Sequence, residues 1–146
     1  DRFLLESDVG YPTVDRELGV RKSLRTEPDP ARQVLATEDI AALRALADSV
    51  HISEELQRYV VRLVRFTRRH SNTEIGASPR AALALVRAAK ARALIYGRDF
   101  VLPDDIRALA GRALAHRILL EPEAELGGAE AETVVEQALD QVSYSD

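Results

Sequence analysis

A chain of 146 residues, 46% of them hydrophobic, is long enough to bury the core of one domain. It contains no cysteine, which excludes disulfides and thiolate metal sites, and no apolar run approaches the roughly twenty residues that span a membrane. The net charge is −4, yet residues 54–98 carry ten Arg or Lys against three Glu, and residues 118–146 carry eight acids and no base.

This charge pattern bears on the partners to be expected. The basic stretch has no aromatic RNA-binding pattern and no zinc-finger spacing, so we expect no nucleic-acid partner. Pairing with the acidic tail, or with a nucleotide phosphate, explains the pattern more simply. The chain starts at Asp1, contains no methionine and shows no signal peptide, so we expect a piece of a longer cytoplasmic protein.

The first quarter of the chain predicts little regular structure. Residues 14–25 form a short polar helical candidate, and Pro28 and Pro30 break the pattern after it. We therefore expect residues 13–36 to be a short helix and a proline-containing linker, and residues 37–146 to form a helical domain.

Two helices with apolar faces follow the linker. Thr37 is a good N-cap for the first, whose apolar residues repeat with the helical period and should face the core: Ile40, Leu43, Leu46, Ala47 and Val50. Ser53 caps the second, which should bury Leu56, Tyr59, Val60, Leu63, Val64 and Thr67. Its other side carries an arginine stripe, Arg58, Arg62, Arg65 and Arg69. We interpret the stripe as a solvated face, with a partner-binding or nucleotide-facing role as the alternative.

The next helix is predicted from Pro79 to Tyr96, in a stretch rich in the strong helix formers alanine and leucine. Gly97 fits the left-handed position that commonly ends a helix.

Pro103 begins a further helix, which the apolar pattern extends over residues 104–120 until Pro122 stops it. Leu102 has no oxygen with which to cap this helix, so the cap must come from another residue. Gly127-Gly128 is expected to be a hinge or loop before a final amphipathic helix at about residues 130–142. These patterns predict an all-α fold, a bundle of four to five core helices.

The strongest functional signal is the five-residue loop Gly76-Ala77-Ser78-Pro79-Arg80. Ser78 can act as an N-cap whose hydroxyl accepts hydrogen bonds from first-turn amides, and Pro79 suits the first helical position. Arg80 then places a cation at a helix N-terminus, where the macrodipole is already positive. This conflict indicates an anionic partner for Arg80, either a phosphate or a neighbouring carboxylate.

In this context the loop resembles the sensor-2 motif of AAA+ ATPases, in the Gly-Ala-Ser-Pro-Arg-Ala form typical of the MoxR family. The resemblance spans nearly the whole chain and is weaker over residues 13–36. The segments that carry it are 1–3, 10–12, 76–85, 96–101, 103–106, 114–118 and 123–126. Leu102 departs from the pattern, since the family commonly has Thr or Ser there.

The resemblance implies that residues 1–12 are the end of an ATPase core and that residues 37–146 are the C-terminal helical lid, of AAA+ lid type. Arg80 would contact the ATP γ-phosphate, beside Ser78 and Pro79, and would couple hydrolysis to movement of the lid against the core. Arg2, in the triplet Asp-Arg-Phe, resembles the arginine finger that reaches the nucleotide of the neighbouring subunit.

For the whole protein, the resemblance implies ATP and Mg²⁺ as cofactors. It also implies a chaperone-like machine, commonly hexameric, that acts with a von Willebrand factor A-domain partner. The chain itself has no GxxxxGK[ST] loop and no acidic Walker B strand, so we expect no ATP hydrolysis by it alone.

Other sites and functions receive less support from the sequence. His51, His70 and His116 have no acidic or cysteine partner at ligand spacing, so no metal site is expected. The main alternative function is a nucleotide-independent helical protein-interaction module. A DNA-binding domain of a replication initiator is a weaker one, because no Gly-containing turn joins two short helices.

Overall fold

A computed structural model describes residues 3–23 and 30–144 of the chain. The helices in these residues are α1 Val14–Ser23, α2 Thr37–Ser49, α3 Glu54–Thr67, α4 Pro79–Ile95, α5 Pro103–Leu114, α6 Pro122–Leu126 and α7 Ala131–Gln141. A 3₁₀ turn, Ala115–Arg117, follows α5, and the strands are β1 Thr73–Ile75 and β2 Leu119–Leu120. The predicted all-α fold class is confirmed, and the described residues add a small two-stranded sheet to the helices.

The core lies among α3, α4, α5 and α7. Helix α4 packs against α2, α3 and α5, and α7 packs against α3 and α5. The predicted inward face of α3 is confirmed, because all six of its residues are buried. On α4 the buried face is mostly alanine, which lets neighbouring helices approach closely: Ala81, Ala84, Leu85, Ala88, Ala89 and Ala93.

Helix α2 differs from its prediction in two ways. Its N-cap is Ala36 and not Thr37, because the Asp39 carboxylate accepts a hydrogen bond from the Ala36 amide at 2.7 Å. Its expected core residues are largely exposed, by 39% at Ile40, 42% at Leu43 and 53% at Leu46. The prediction holds at the C-terminal end of the face, where Val50 is buried in the core and Ala47 is half-buried, whereas the described residues leave the rest of the face largely exposed.

The long helix predicted over residues 104–120 is wrong at its C-terminal end. Helix α5 ends at Leu114, and after the 3₁₀ turn the backbone becomes extended at Ile118. The reason is a strand pairing that periodicity cannot reveal, since β2 pairs antiparallel with β1, Thr73 opposite Leu120. Pro122 does not stop a helix but occupies the first turn of α6, a five-residue helix absent from the prediction.

The predicted end of α4 is confirmed in detail. Gly97 has a φ of 70° and donates its amide to the Leu94 carbonyl at 2.9 Å, while the Arg98 amide reaches the Ala93 carbonyl at 3.0 Å. Together these bonds form a Schellman motif. The Ser53 cap of α3 is also confirmed, since its hydroxyl accepts from the Leu56 amide at 3.2 Å. Among the described residues, no helix is both long and apolar enough to cross a membrane.

Candidate functional site

The loop that leads into α4 is fastened to the C-terminal end of α3. The Ala77 amide donates to the Thr67 hydroxyl at 3.0 Å, and that hydroxyl donates to the Val64 carbonyl at 2.8 Å. The Arg68 Nε donates to the Ala77 carbonyl at 2.7 Å. Both backbone polar groups of the fully buried Ala77 are therefore satisfied, and the path of the loop is fixed.

Gly76 permits this close approach. A Cβ atom there would lie 2.6 Å from both the Cα and the amide nitrogen of Arg68, inside any normal contact distance. Only glycine fits without a backbone shift.

Ser78 occupies the predicted N-cap position, but its hydroxyl accepts no capping hydrogen bond from the described residues. The Ala81 amide bonds instead to the Ser78 carbonyl at 2.9 Å. Pro79 is the first residue of α4, as predicted, and brings no amide that needs a partner. The prediction was therefore right about the position of the cap and wrong about its hydrogen bond.

Arg80 lies at one edge of a groove of about 660 Å³, which we call the arginine groove. The described residues that line it are either arginine or apolar: Phe3, Leu4, Arg80, Leu83, Ala84, Arg87 and Arg117. Arg80 and Arg87 are seven residues apart on α4 and so share one face of the helix. Arg117 comes from the 3₁₀ turn after α5. Two separate elements thus direct three cations into one groove.

Arg117 is the most buried of the three arginines. Its Nη2 donates to the Phe3 carbonyl, and its Nε lies 3.1 Å from the His116 Nε2. Burial lowers the pKa of Arg117 below its ordinary value, and the positive charge of Arg80 adds to this effect. Neither Arg80 nor Arg87 makes a hydrogen bond or ion pair with the described residues.

A groove of this kind is suited to a polyanion. Arginine forks match phosphate oxygens, while the described lining offers no carboxylate that could hold Mg²⁺. No three His, Asp or Glu residues cluster at metal-binding distance anywhere in residues 3–23 and 30–144.

Three of the four predicted site residues are described by the structure and lie close together. Arg80, Ser78 and Pro79 lie together at the start of α4, whereas Arg2 falls outside the described residues. Sequence reasoning missed Arg87, although its spacing from Arg80 could have suggested a shared face. It gave Arg117 no role in a site, because only the tertiary fold brings Arg117 into the groove that Arg80 lines.

Comparisons with known proteins identify the family of the chain. The family model described as AAA lid domain matches residues 65–138, which include the loop, α4, α5 and the 3₁₀ turn. The chain belongs to the AAA lid domain family.

Individual relatives narrow the class. The chain is 39% identical to the uncharacterized protein YeaC of Bacillus subtilis over 97% of its own length and 45% of that protein. It is 34% identical to the chaperone MoxR1 of Mycobacterium tuberculosis, over 98% of this chain and 40% of that one. The MoxR name of the second relative confirms the family expected from the sequence, and the chain spans less than half the length of either relative.

A solved structure shows the same fold. The crystal structure of a putative ATPase from Cytophaga hutchinsonii superposes with a TM-score of 0.88 at 33% identity. The match covers 97% of this chain and 46% of the other.

Proposed function

We propose that this chain is the lid of a MoxR-type AAA+ ATPase and that Arg80 acts as its sensor-2 arginine, contacting the ATP γ-phosphate. The observation that carries the proposal is the position of Arg80. It has no ion-pair partner among the described residues and projects into the arginine groove, from a loop that is anchored to α3, in a chain of the AAA lid domain family.

The chain's own residues explain how such a site would work. Thr67, Arg68 and the close approach at Gly76 hold the loop, so the Arg80 backbone needs no rearrangement when an anion arrives. The guanidinium can then share a charge-assisted, bidentate contact with phosphate oxygens. Bound ATP supplies the anion that this contact requires. The contact is lost after phosphate release, which biases lid against core about a hinge near Tyr11-Pro12.

The remaining parts of the proposal concern the longer protein. Mg²⁺ would be held by the ATPase core, because the described residues that line the arginine groove include no carboxylate. Arg2, outside the described residues, would act as an arginine finger toward a neighbouring subunit of a hexamer. The machine would be chaperone-like and cytoplasmic, with a von Willebrand factor A-domain partner.

The test is Arg80→Ala in the protein that joins this chain to its nucleotide-binding core. Loss of a charge-assisted hydrogen bond, typically worth about 1.5 to 3 kcal/mol, should reduce ATP hydrolysis roughly tenfold to a hundredfold. Arg80→Lys should recover only part of the rate, because an ammonium lacks the planar fork. Steady-state phosphate release with saturating ATP and Mg²⁺ measures the effect.

Arg44→Ala is the matched control, since Arg44 is an exposed arginine on α2 outside the groove. The melting temperature of the 146-residue chain should be unchanged by both alanine substitutions. An Arg80→Ala protein that hydrolyses ATP at the wild-type rate would refute the sensor-2 role. A loss of melting temperature with unaltered turnover would identify Arg80 as a structural arginine.

The alternative, a nucleotide-independent interaction module with a basic stripe and an acidic tail, has less support. Arg62 of the stripe donates to the carbonyls of Ser143 at 2.9 Å and Tyr144 at 3.3 Å, and the Tyr144 hydroxyl bonds to Glu55 at 3.2 Å. Ser143 and Tyr144 therefore contact α3 of the same chain, and the groups that make these contacts are engaged internally.

A further inference from the structure

A second groove lies between α3 and α4, and its lining is mostly apolar. This α3–α4 groove has a volume of about 660 Å³ and is lined largely by valine, alanine, leucine and proline side chains of the two helices. Val61 of α3 is 48% exposed and Leu83 of α4 is 61% exposed, so the described residues leave the groove open to water. Contiguous apolar surface of this kind marks a place where another segment docks.

The charge along the groove restricts what can dock there. Arg65 and Arg68 line it and lie on the same face of α3 as Val61, four and seven residues further along the chain. The Arg68 Nε is held by the Ala77 carbonyl, whereas Arg65 makes no hydrogen bond or ion pair with the described residues. The described lining contains no carboxylate. An apolar side chain with carboxylates beside it therefore complements the groove.

The short helix α6 of the same chain has this chemistry. Leu126 at its end is 90% exposed, the most exposed leucine among the described residues. Glu123 precedes Leu126 by three residues and so shares its face of the helix, and Glu125 is its neighbour. Both glutamates are exposed, and they belong to the stretch of residues 118–146 that has eight acids and no base.

We propose that α6 of one copy of this chain docks in the α3–α4 groove of a second copy. Leu126 enters the groove, and Glu123 and Glu125 lie beside Arg65 and Arg68. The contact joins different surfaces of the two copies, so the assembly continues from copy to copy unless it closes on itself. It requires neither nucleotide nor an ATPase core, and it does not depend on the proposed function.

The arginine stripe of α3 thereby gains a role for one of its members. Arg58 of the stripe pairs with Glu54 at 2.5 Å, and Arg62 donates to the carbonyls of Ser143 and Tyr144. These two arginines are engaged within the chain, whereas Arg65 is available to a carboxylate of the second copy.

Sedimentation velocity of the 146-residue chain tests the proposal. A contact of one helical turn is small, so association is expected between about 10 µM and 1 mM protein. The weight-average sedimentation coefficient should rise over this range. The rise should diminish when NaCl is added, because salt screens the charge pairs.

Substitutions at the two surfaces locate the contact. Leu126→Ser and Val61→Ser should each weaken association roughly tenfold, as expected for apolar residues at the centre of an interface. Ile95→Ser is the matched control, because Ile95 is 82% exposed at the end of α4 and does not line the groove. It should leave association unchanged. Circular dichroism checks the fold of each variant, and Leu126→Ser decides the outcome if Val61→Ser unfolds.

A charge exchange distinguishes a specific contact from general stickiness. Arg65→Glu and Glu123→Arg each place like charges across the contact, so each variant alone should associate more weakly than the wild type. In an equal mixture of the two variants, every reversed charge meets an opposite one on the other copy. The mixture should therefore recover association, which damage to either fold would not allow.

Three results would overturn the inference. A chain that stays monomeric up to about 1 mM would leave the α3–α4 groove to a different molecule. Association that is unchanged by Leu126→Ser, or weakened equally by Ile95→Ser, would place the contact elsewhere. Failure of the mixed charge variants to associate would refute the pairing of α6 with α3. None of these results bears on the ATPase rate of the Arg80→Ala protein, by which the proposed function is decided.

Discussion

A methyl group at Gly76 would displace the loop that carries Arg80. The added Cβ would lie 2.6 Å from two backbone atoms of Arg68, and neither atom can rotate out of the way. We expect Gly76→Ala to destabilise the chain by about 1 to 3 kcal/mol, the usual range for overpacking. Chemical denaturation followed by circular dichroism measures the change.

Gly111 provides the matched control for this substitution. It lies inside α5, and a Cβ there would meet nothing within 4 Å. Gly111→Ala should therefore stabilise the chain by about 0.5 to 1 kcal/mol through helix propensity. If both alanine substitutions had the same effect, the close approach of the loop to α3 would not be the reason for glycine at position 76.

Single residues also show what the sequence could and could not reveal about the site. The Ser78-Pro79-Arg80 order identified the start of a helix and a cation in its first turn. The roles of Thr67, Arg68 and Arg117 depend on which segments meet in space, and no local pattern encodes that. The sequence also did not show which residue caps α5. The Asp105 carboxylate accepts a hydrogen bond from the Leu102 amide at 2.9 Å and so supplies the oxygen that Leu102 lacks.

The corner between α4 and α5 depends on a buried ion pair. The two Nη atoms of Arg98 donate to the two oxygens of Asp105 at 2.7 and 2.8 Å, and Arg92 lies 3.3 Å from the same carboxylate. The Asp105 side chain is 3% exposed. Asp105→Asn leaves the arginines without their counter-charge, and we expect a loss of about 3 kcal/mol.

Asp104 is the control for this substitution because it is exposed in the same helical turn. Asp104→Asn removes an equal charge and should cost less than about 1 kcal/mol, the size of a helix-dipole contribution. Equal losses from the two substitutions would mean that the pair with Arg98 does not stabilise the corner.

The same ion pair makes stability depend on pH. Hydrogen bonds from Arg98 hold the pKa of Asp105 below its ordinary value of 3.8, and this effect exceeds that of burial, which raises it. The carboxylate therefore contributes its stabilisation fully well above pH 3.8, and the contribution is lost as the pH falls through the lower folded-state pKa. The difference in unfolding free energy between the wild type and Asp105→Asn should accordingly shrink on acidification.

Helices were predictable from this sequence to the extent that they are amphipathic and longer than about two turns. The buried face of α3 and the Schellman end of α4 followed from periodicity and one glycine. The two-residue strand β2 and the five-residue α6 are too short for any period to appear, and strand pairing over more than forty residues leaves no local signal.

We expect that the 146-residue chain alone does not hydrolyse ATP. Its sequence has no phosphate-binding loop and no acidic Walker B strand, and the groove lining offers no metal ligand among the described residues. We expect phosphate release from ATP and Mg²⁺ by the purified chain to equal that of a buffer control. Release that exceeds the control and scales with protein concentration would contradict this expectation.

Helix α2 shows that the sequence of one chain can predict an apolar face without predicting what covers it. Its apolar period is genuine, yet Ile40, Leu43 and Leu46 stay between 39% and 53% exposed in the described structure. A hydrophobic pattern predicts that a face will be covered, but it does not say by which segment or molecule.

The small β1–β2 sheet joins the two segments that supply the groove with arginines. Arg80 follows the end of β1 by five residues, and β2 begins two residues after Arg117. A further backbone bond, from the Glu121 amide to the Asn72 carbonyl at 2.9 Å, extends the connection. The segments that carry Arg80 and Arg117 are therefore tied together by one small sheet. We expect a change that breaks the β1–β2 pairing to move the two arginines apart and to alter the groove that they line.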